Sequence, residues 1–488
     1  MPTFHAEFFL QEESQLMVAA QKMLESGGVY IESWQAGPPL MVWIYGLFQA
    51  IFGSWALNAI RVFTCFYIYL SAIVFNGILA ENKSFRRNAG LISVLFVLLV
   101  CTPWFEQQLN ASLFVLLPVV LTFSHINQLA DRSPANQRHL FIAGVWMMVS
   151  MMASYKTSFL LIGVFLAYLV LQPFRWTELM SFGAGLVTVL GLSMFWLFRK
   201  GALDEWWDQG ILYYADYLGL AGGDMYRMNS WEEVRLLLVC WGGFLVMGLI
   251  GFIHYRLNFF KYVRKARAAE TIMMIWLIGV MIVLGFKLRR LEMSDFILLV
   301  PPLAFYIART FDFAFVTRFR VPILLLLTSV PIWQYSAYIA MAFPEPLAWI
   351  SADADDTLRH GAEELNKIKY ANLLPEINRL GPEQRIWVMG LAPDLYLRSN
   401  RISAVKYTDF RMAYYKLQDL PGHEGRLMFS DIIPARDIFK TFHDDPPAMV
   451  LDEKNNFPSL QRRYPGIFGD FVSRKVGSWT LYTAPQQK

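Results

Sequence analysis

Over most of its length the chain alternates long apolar runs with short charged connections. Apolar runs close to the ~20 residues that cross a bilayer as a helix cover 57–79, 90–104, 108–128, 140–154, 157–172, 180–198, 234–254, 271–286, 294–309 and 320–342, which predicts about ten spans. The stretches around Pro103 and Lys156 are short enough to read as tilted or re-entrant. The first sixty residues follow a different pattern. Leu16, Ala19, Ala20, Met23 and Leu24 recur at helical spacing behind the carboxylate pair Glu12 and Glu13, and Gly27 and Gly28 stop that helix. Trp34, Pro38, Pro39 and an aromatic-rich segment from Leu40 to Phe52 follow, the composition of a piece lying at a membrane surface. From Ala348 onward the pattern becomes that of an ordinary soluble mixture. Helical spacing over 352–379 and 435–442 is interleaved with strand-like runs at 385–390, 448–452 and 478–483, which predicts a small α/β domain. The expected organisation is therefore a first loop with juxtamembrane helices (1–56), a transmembrane domain (57–343) and a C-terminal α/β domain (344–488).

Composition strengthens this picture. Of 488 residues, 56% are hydrophobic and only 17% are charged, too apolar a balance for a soluble protein. The net charge of +4 is small and forms no basic stripe on a soluble face, so nothing points to nucleic acid. Cys65, Cys101 and Cys240 all fall in apolar runs, the setting of core side chains. No basic segment followed by an apolar run opens the chain, so no cleavable leader is expected.

Charge in the short loops sets an orientation. With Glu12 outside, the inward loops carry Lys83, Arg86 and Arg87, then Arg132 and Arg138, then Arg175, then the basic cluster from Arg256 to Arg267, then Arg309, Arg318 and Arg320. An even number of spans returns the C-terminal domain to the side of Glu12, which in a Gram-negative inner membrane is the periplasm. Lys156, Arg199, Lys200, Lys287, Arg289 and Arg290 stand at the outer span ends, against the rule. Cations held there ask for an anionic partner, and a lipid phosphate is the obvious one; headgroup snorkelling is the plainer alternative.

In order and spacing, Glu12-Glu13, Gly27-Gly28, Tyr30, Trp34, Gly37-Pro38-Pro39-Leu40, Phe52-Gly53 and Arg61 resemble the first extracytoplasmic loop of GT-C superfamily membrane glycosyltransferases, the bacterial relatives of protein O-mannosyltransferases and aminoarabinose transferases. Tyr155-Lys156-Thr157, Ala202 to Trp207, Ser294 to Pro302 and Pro393-Asp394-Leu395-Tyr396 with Arg398 and Arg401 resemble later segments of the same family. Glutamate replaces the usual aspartate, Gly37 replaces a lysine, Ser294-Asp295 replaces a His-Tyr pair, and Asn110-Ala111-Ser112 replaces an Asn-x-Glu sequence. Relatives carry a span before the acidic loop where this chain has only the eleven residues to Gln11, so a partner protein supplying that span is one expectation.

The resemblance implies a polytopic α-helical GT-C-like fold with a periplasmic α/β domain, multi-pass in the bacterial inner membrane, and transfer of a sugar from a polyprenyl-phosphate donor to a protein, lipid or glycan acceptor. That chemistry needs a base for the acceptor hydroxyl, charge stabilisation on the departing phosphate, and exclusion of water. Glu12 and Glu13 are the candidate catalytic pair, with N-terminal helix capping as the alternative role. Arg61, Lys156, Lys287, Arg289 and Arg290 are the candidate phosphate-binding cations. No cofactor and no metal-ligand spacing is implied, and a divalent metal stays open. Phe182-Gly183-Ala184-Gly185 inside an apolar run predicts close helix packing, and His443-Asp444-Asp445 predicts a turn. The rival reading is a catalytically silent scaffold of the same fold that holds a partner protein in the envelope.

Overall fold

A computed structural model of the chain describes residues 11–26, 28–31, 33, 37–80, 89–101, 109–129, 136–212, 230–258, 264–286, 293–311, 319, 321–323, 325–326, 329, 370, 372–381, 383–390, 392–406, 438–453 and 455–484.

 In chain order the described helices up to Thr310 are α1 (Gln11–Ser26), α2 (Leu40–Phe52), α3 (Ala56–Ala80), α4 (Ala89–Val100), α5 (Ala111–Phe114), α6 (Leu116–Gln128), α7 (Asn136–Ala153), α8 (Leu160–Leu171), α9 (Trp176–Arg199), α10 (Leu203–Glu205), α11 (Ser230–Leu257), α12 (Arg264–Phe286) and α13 (Val300–Thr310), and short helices follow at Leu374–Asn378, Asp394–Arg398, Phe457–Arg463 and Pro465–Phe468. The apolar runs expected from the pattern between 57 and 309 fall on α3 to α9 and α11 to α13. The run 320–342 lies almost wholly outside the described residues, as do 102–104 of the second run. The chain divides into two compact units: Ile60–Phe195 with Gly219–Ile339, and Pro2–Ala59 with Trp196–Leu218 and Ala340–Lys488.

The first unit is a helical bundle that exposes many large apolar side chains. Phe66, Tyr69, Ile162, Val170, Met180, Val187, Leu192, Phe195 and Leu249 are exposed on α3, α8, α9 and α11, which in water would be an aggregation surface and in lipid is a solvated one. Among the described residues, the helical stretches Leu40–Leu79, Ala111–Gln128 and Trp176–Arg199 are long and apolar enough to cross a membrane. With hydrocarbon outside, burial of apolar side chains cannot hold helices together, so close backbone approach and internal hydrogen bonds take that part. Gly144 of α7 meets Gly185 of α9 so closely that a Cβ on Gly185 would stand 2.1 Å from the Phe141 carbonyl oxygen, and one on Gly144 would stand 2.2 Å from that of Phe182. The small-residue stretch around Gly185 is thus a helix crossing. Gly251 of α11 makes the same approach to α13, where a Cβ would lie 1.8 Å from the Tyr306 carbonyl oxygen. Beside it the Thr310 hydroxyl donates to the Met247 carbonyl at 2.5 Å. Asn110 starts α5 by accepting from the Leu113 amide at 2.8 Å. Around Lys156 the helix gives way to a 3₁₀ turn, Tyr155–Phe159, anchored by the Thr157 hydroxyl on the Ser154 carbonyl at 2.8 Å.

In the second unit a four-stranded mixed sheet is built from β1 (Ile386–Met389), β2 (Met449–Asp452), β3 (Val472–Val476) and β4 (Trp479–Thr483), in the order β1-β2-β4-β3. β1 and β2 run parallel, and β4 pairs antiparallel with both β2 and β3. Gly477, at φ +60°, makes the tight turn between β3 and β4. The pattern had predicted three strands here; β3 is the additional one, and its mostly exposed side chains explain why no apolar run announces it. Every residue of β1 and β2 is buried, because both sheet faces are covered. Trp387, Met389 and Val450 point into a core with Ile438, Phe442, Phe457 and Phe468. Ile386, Val388, Met449 and Leu451 point into the opposite core with Leu395, Tyr396, Trp479 and, from α1, Val18. Asp452 ends β2 fully buried, its carboxylate accepting from the Phe457 amide at 2.6 Å.

Three substitutions test this packing. Gly185→Val places side-chain atoms against the Phe141 carbonyl, and is expected to lower the thermal midpoint of the detergent-solubilised protein by several degrees, whereas Gly183→Ala, in open space, leaves it unchanged. Tyr396 is fully buried and its hydroxyl accepts the Val388 amide of the edge strand β1 at 2.8 Å. Tyr396→Phe orphans that amide and is expected to cost about 1–3 kcal/mol in chemical denaturation.

Candidate functional site

Glu12 and Glu13 lie in the first turn of α1, where the partial positive charge of the helix N-terminus favours ionised carboxylates. Consecutive helical positions point about 100° apart, and the pair divides accordingly. Glu12 is exposed, while Glu13 is buried at 1% exposure.

The rest of α1 explains why the helix sits where it does. Met17, Val18, Ala19 and Ala20 are buried; Val18 fills the core beneath the sheet, and Ala20 with Met23 receives Gly46 of α2. The Gln49 amide of α2 donates to the Met17 carbonyl at 2.9 Å. Lys22, on the same inward stripe, is 3% exposed and its ammonium donates to the Val405 carbonyl at 2.5 Å. The segment carrying Val405 extends the sheet edge, with the Ala404 amide donating to the Ile386 carbonyl at 2.8 Å.

A second attachment holds the loop after α1. Tyr30 is fully buried in a left-handed conformation, φ +72°, uncommon for a residue with a bulky side chain. Its hydroxyl donates to the Gly37 carbonyl at 2.6 Å, and its own carbonyl accepts from the Gln209 amide at 2.9 Å. Gln209 belongs to a π-helical turn, Trp206–Leu212, that follows α10. The Gln209 amide also reaches the Glu205 carboxylate at 2.5 Å, and Glu205 pairs with Lys406 at 3.0 Å. Three segments remote in sequence, 30–37, 205–210 and 405–406, are thereby linked through side-chain polar groups. The turn begins where α9 ends in a Schellman motif: Ala202 donates to the Leu197 carbonyl at 2.9 Å, Gly201 donates to that of Phe198 at 3.0 Å, and Gly201 takes φ +67°. Burial, then the charges of Glu205 and Asp204, raise the Asp208 carboxyl above the ordinary range.

Of the cations expected to bind phosphate, Arg61 is buried at 1% exposure in α3, and Lys156 is half-buried in the 3₁₀ turn; both belong to the first unit. Lys287, Arg289 and Arg290 lie outside the described residues, as does Trp34. A Cβ on Gly37 would meet no atom within 4 Å, so neither sterics nor backbone demands glycine where the resembling loops carry lysine. Glu205 lies in the Ala202 to Trp207 segment that the sequence singled out, whereas Lys22, Gln209 and Lys406 escaped it. Only Lys22 left a trace, as a lone cation on the apolar stripe of α1.

No family model matches the chain, and no curated protein matches its sequence. Solved structures do. The chain is similar to ArnT from Cupriavidus metallidurans bound to undecaprenyl phosphate, with a TM-score of 0.56 at 12% identity, over 98% of this chain and 94% of that one. It is similar to the same protein in its apo state, with a TM-score of 0.51 at 12% identity, over 97% and 94% of the two chains. The chain has the GT-C fold. The likeness extends over nearly the whole chain, so the helical bundle and the sheet-bearing region are both included in the GT-C match.

The raised Asp208 carboxyl gives a pH test. Its proton is held more tightly in the folded chain than in the unfolded one, so its contribution to stability is full below the unfolded value, about 3.9, and is lost as pH rises through the folded value. Asp208→Asn is therefore expected to raise the thermal midpoint at pH 7 and to have little effect at pH 3.5, read by thermal unfolding at both pH values.

Proposed function

We propose that this protein is an integral membrane glycosyltransferase of the bacterial inner membrane, moving a sugar from a polyprenyl-phosphate donor to a protein, lipid or glycan acceptor at the periplasmic face. The observation that carries this reading is the fold-wide likeness to a GT-C protein that binds undecaprenyl phosphate, together with an acidic pair at the N-terminus of a helix built into the sheet-bearing unit.

In this reading Glu12 is the base, because it is the exposed member of the pair. The acceptor oxygen attacks the anomeric carbon as the bond from that carbon to the phosphate oxygen breaks. The hydroxyl proton passes to Glu12, and the bonding pair leaves with the polyprenyl phosphate. Arg61, Lys156, Lys287, Arg289 and Arg290 are proposed to donate to the phosphate oxygens as charge builds there. Glu13 supports the turn from its buried position. The C-terminal α/β domain is proposed to lie on the periplasmic side with Glu12, from the distribution of lysine and arginine in the loops.

Gly37 in place of lysine and Ser294-Asp295 in place of a His-Tyr pair favour the second reading, a silent scaffold of the same fold. One experiment separates the two. Purified full-length protein in lipid nanodiscs is supplied with a radiolabelled polyprenyl-phosphate sugar and a mixed acceptor fraction. Transfer is expected from the wild type and is expected to fall by roughly 10²–10⁴-fold in Glu12→Gln, with donor binding retained. Undiminished transfer in the Glu12→Gln, Glu13→Gln double variant would remove the proposed base, and failure of the wild type to bind the donor would favour the scaffold.

A further inference from the structure

At one end of the α6–α7 hairpin two histidines face each other. His125, on the last turn of α6, and His139, on the first turn of α7, are both half-buried, and their Nδ1 atoms stand 3.2 Å apart. Their rings are tilted by 34° with centroids 5.5 Å apart, so the two nitrogens converge while the rings do not stack. Two nitrogens bound to one tetrahedral metal at 2.0–2.1 Å lie roughly 3.3 Å apart. The observed separation therefore already matches the bite of a bidentate imidazole site.

A second observation comes from a neighbouring side chain. Asn136 begins α7 three residues before His139, which puts the two on one helix face. It is only 6% exposed, and its side-chain oxygen has no hydrogen-bond partner among the described residues. Buried amide oxygens are ordinarily satisfied, so an orphaned acceptor on the helix face of a converging histidine pair marks a place where a ligand, rather than protein, completes the arrangement.

We propose that His125, His139 and Asn136 form a divalent transition-metal site, with two imidazole nitrogens as principal ligands, the amide oxygen as a weaker third, and water filling the remaining position. Borderline cations that favour imidazole, Zn²⁺ and Cu²⁺ foremost, fit this donor set, while Mg²⁺ and Ca²⁺ do not. Both histidines bind as neutral rings, so the metal takes the place of the single proton that the two Nδ1 atoms can share. The site staples α6 to α7 and is independent of the sugar-transfer reading.

Full-length protein carrying a histidine-free affinity tag is stripped with a chelator, dialysed against Zn²⁺, and assayed for bound metal by elemental analysis. One Zn²⁺ per chain is expected, with at least about tenfold weaker binding in His125→Gln and in His139→Gln and a smaller loss in Asn136→Ala. Loading the wild type with Cu²⁺ is expected to show two nitrogen ligands in its electron paramagnetic resonance spectrum, a readout that needs no variant to fold. Absence of stoichiometric binding, unchanged binding in both histidine variants, or a Cu²⁺ spectrum without nitrogen coupling overturns the site.

Discussion

The docking of α1 onto the sheet is the constraint on which the second unit depends. A helix that opens with two glutamates would ordinarily ride on a surface. Here Val18 fills the core beneath β1, β2 and β4, and the Lys22 ammonium sits on the Val405 carbonyl. Burying an ammonium is costly unless it is well bonded, so its contact with a backbone carbonyl at the sheet edge gives α1 one position. That position in turn sets which of two adjacent carboxylates faces outward. Glu12 is left exposed because Glu13, Met17 and Ala20 lie on the side that packs.

The loop between α1 and α2 is held by polar groups instead of apolar bulk. Tyr30 in a left-handed conformation is unfavourable by itself, and it is retained where both its hydroxyl and its carbonyl have partners. The partner of that carbonyl, Gln209, lies in a π-helical turn, a local insertion in a helix that recurs at functional sites. Glu205 connects this turn to Lys406 at the sheet edge. Glu205 and Gln209 thus become the link between the loop and the α/β layer.

The helical bundle obeys other physics. Its exposed phenylalanines, leucines and valines match a hydrocarbon solvent, and cohesion passes to crossings at Gly144, Gly185 and Gly251, where backbones touch. Charge is admitted where it is compensated. Glu270 of α12 is fully buried and faces Arg256 of α11 at 3.7 Å. Glu178 at the start of α9 accepts from the Tyr168 hydroxyl at 3.0 Å.

Much was determined by the sequence alone, because membrane helices and buried strands advertise themselves through unbroken apolarity. The runs now seen as α3 to α9 and α11 to α13, the strands β1, β2 and β4, and the helix behind Glu12 and Glu13 could all be read from local pattern. β3 could not, since its side chains are mostly exposed and carry no apolar signature. The tertiary structure alone decided that α1 belongs in the sheet's core, that Glu12 and Glu13 have opposite exposure, that Gln209 and Lys406 meet the first loop's neighbourhood, and that His125 and His139 converge. The reason is common to all four. Each depends on partners tens to hundreds of residues away or on which face of a helix turns inward, and periodicity records that a residue is buried without recording against what.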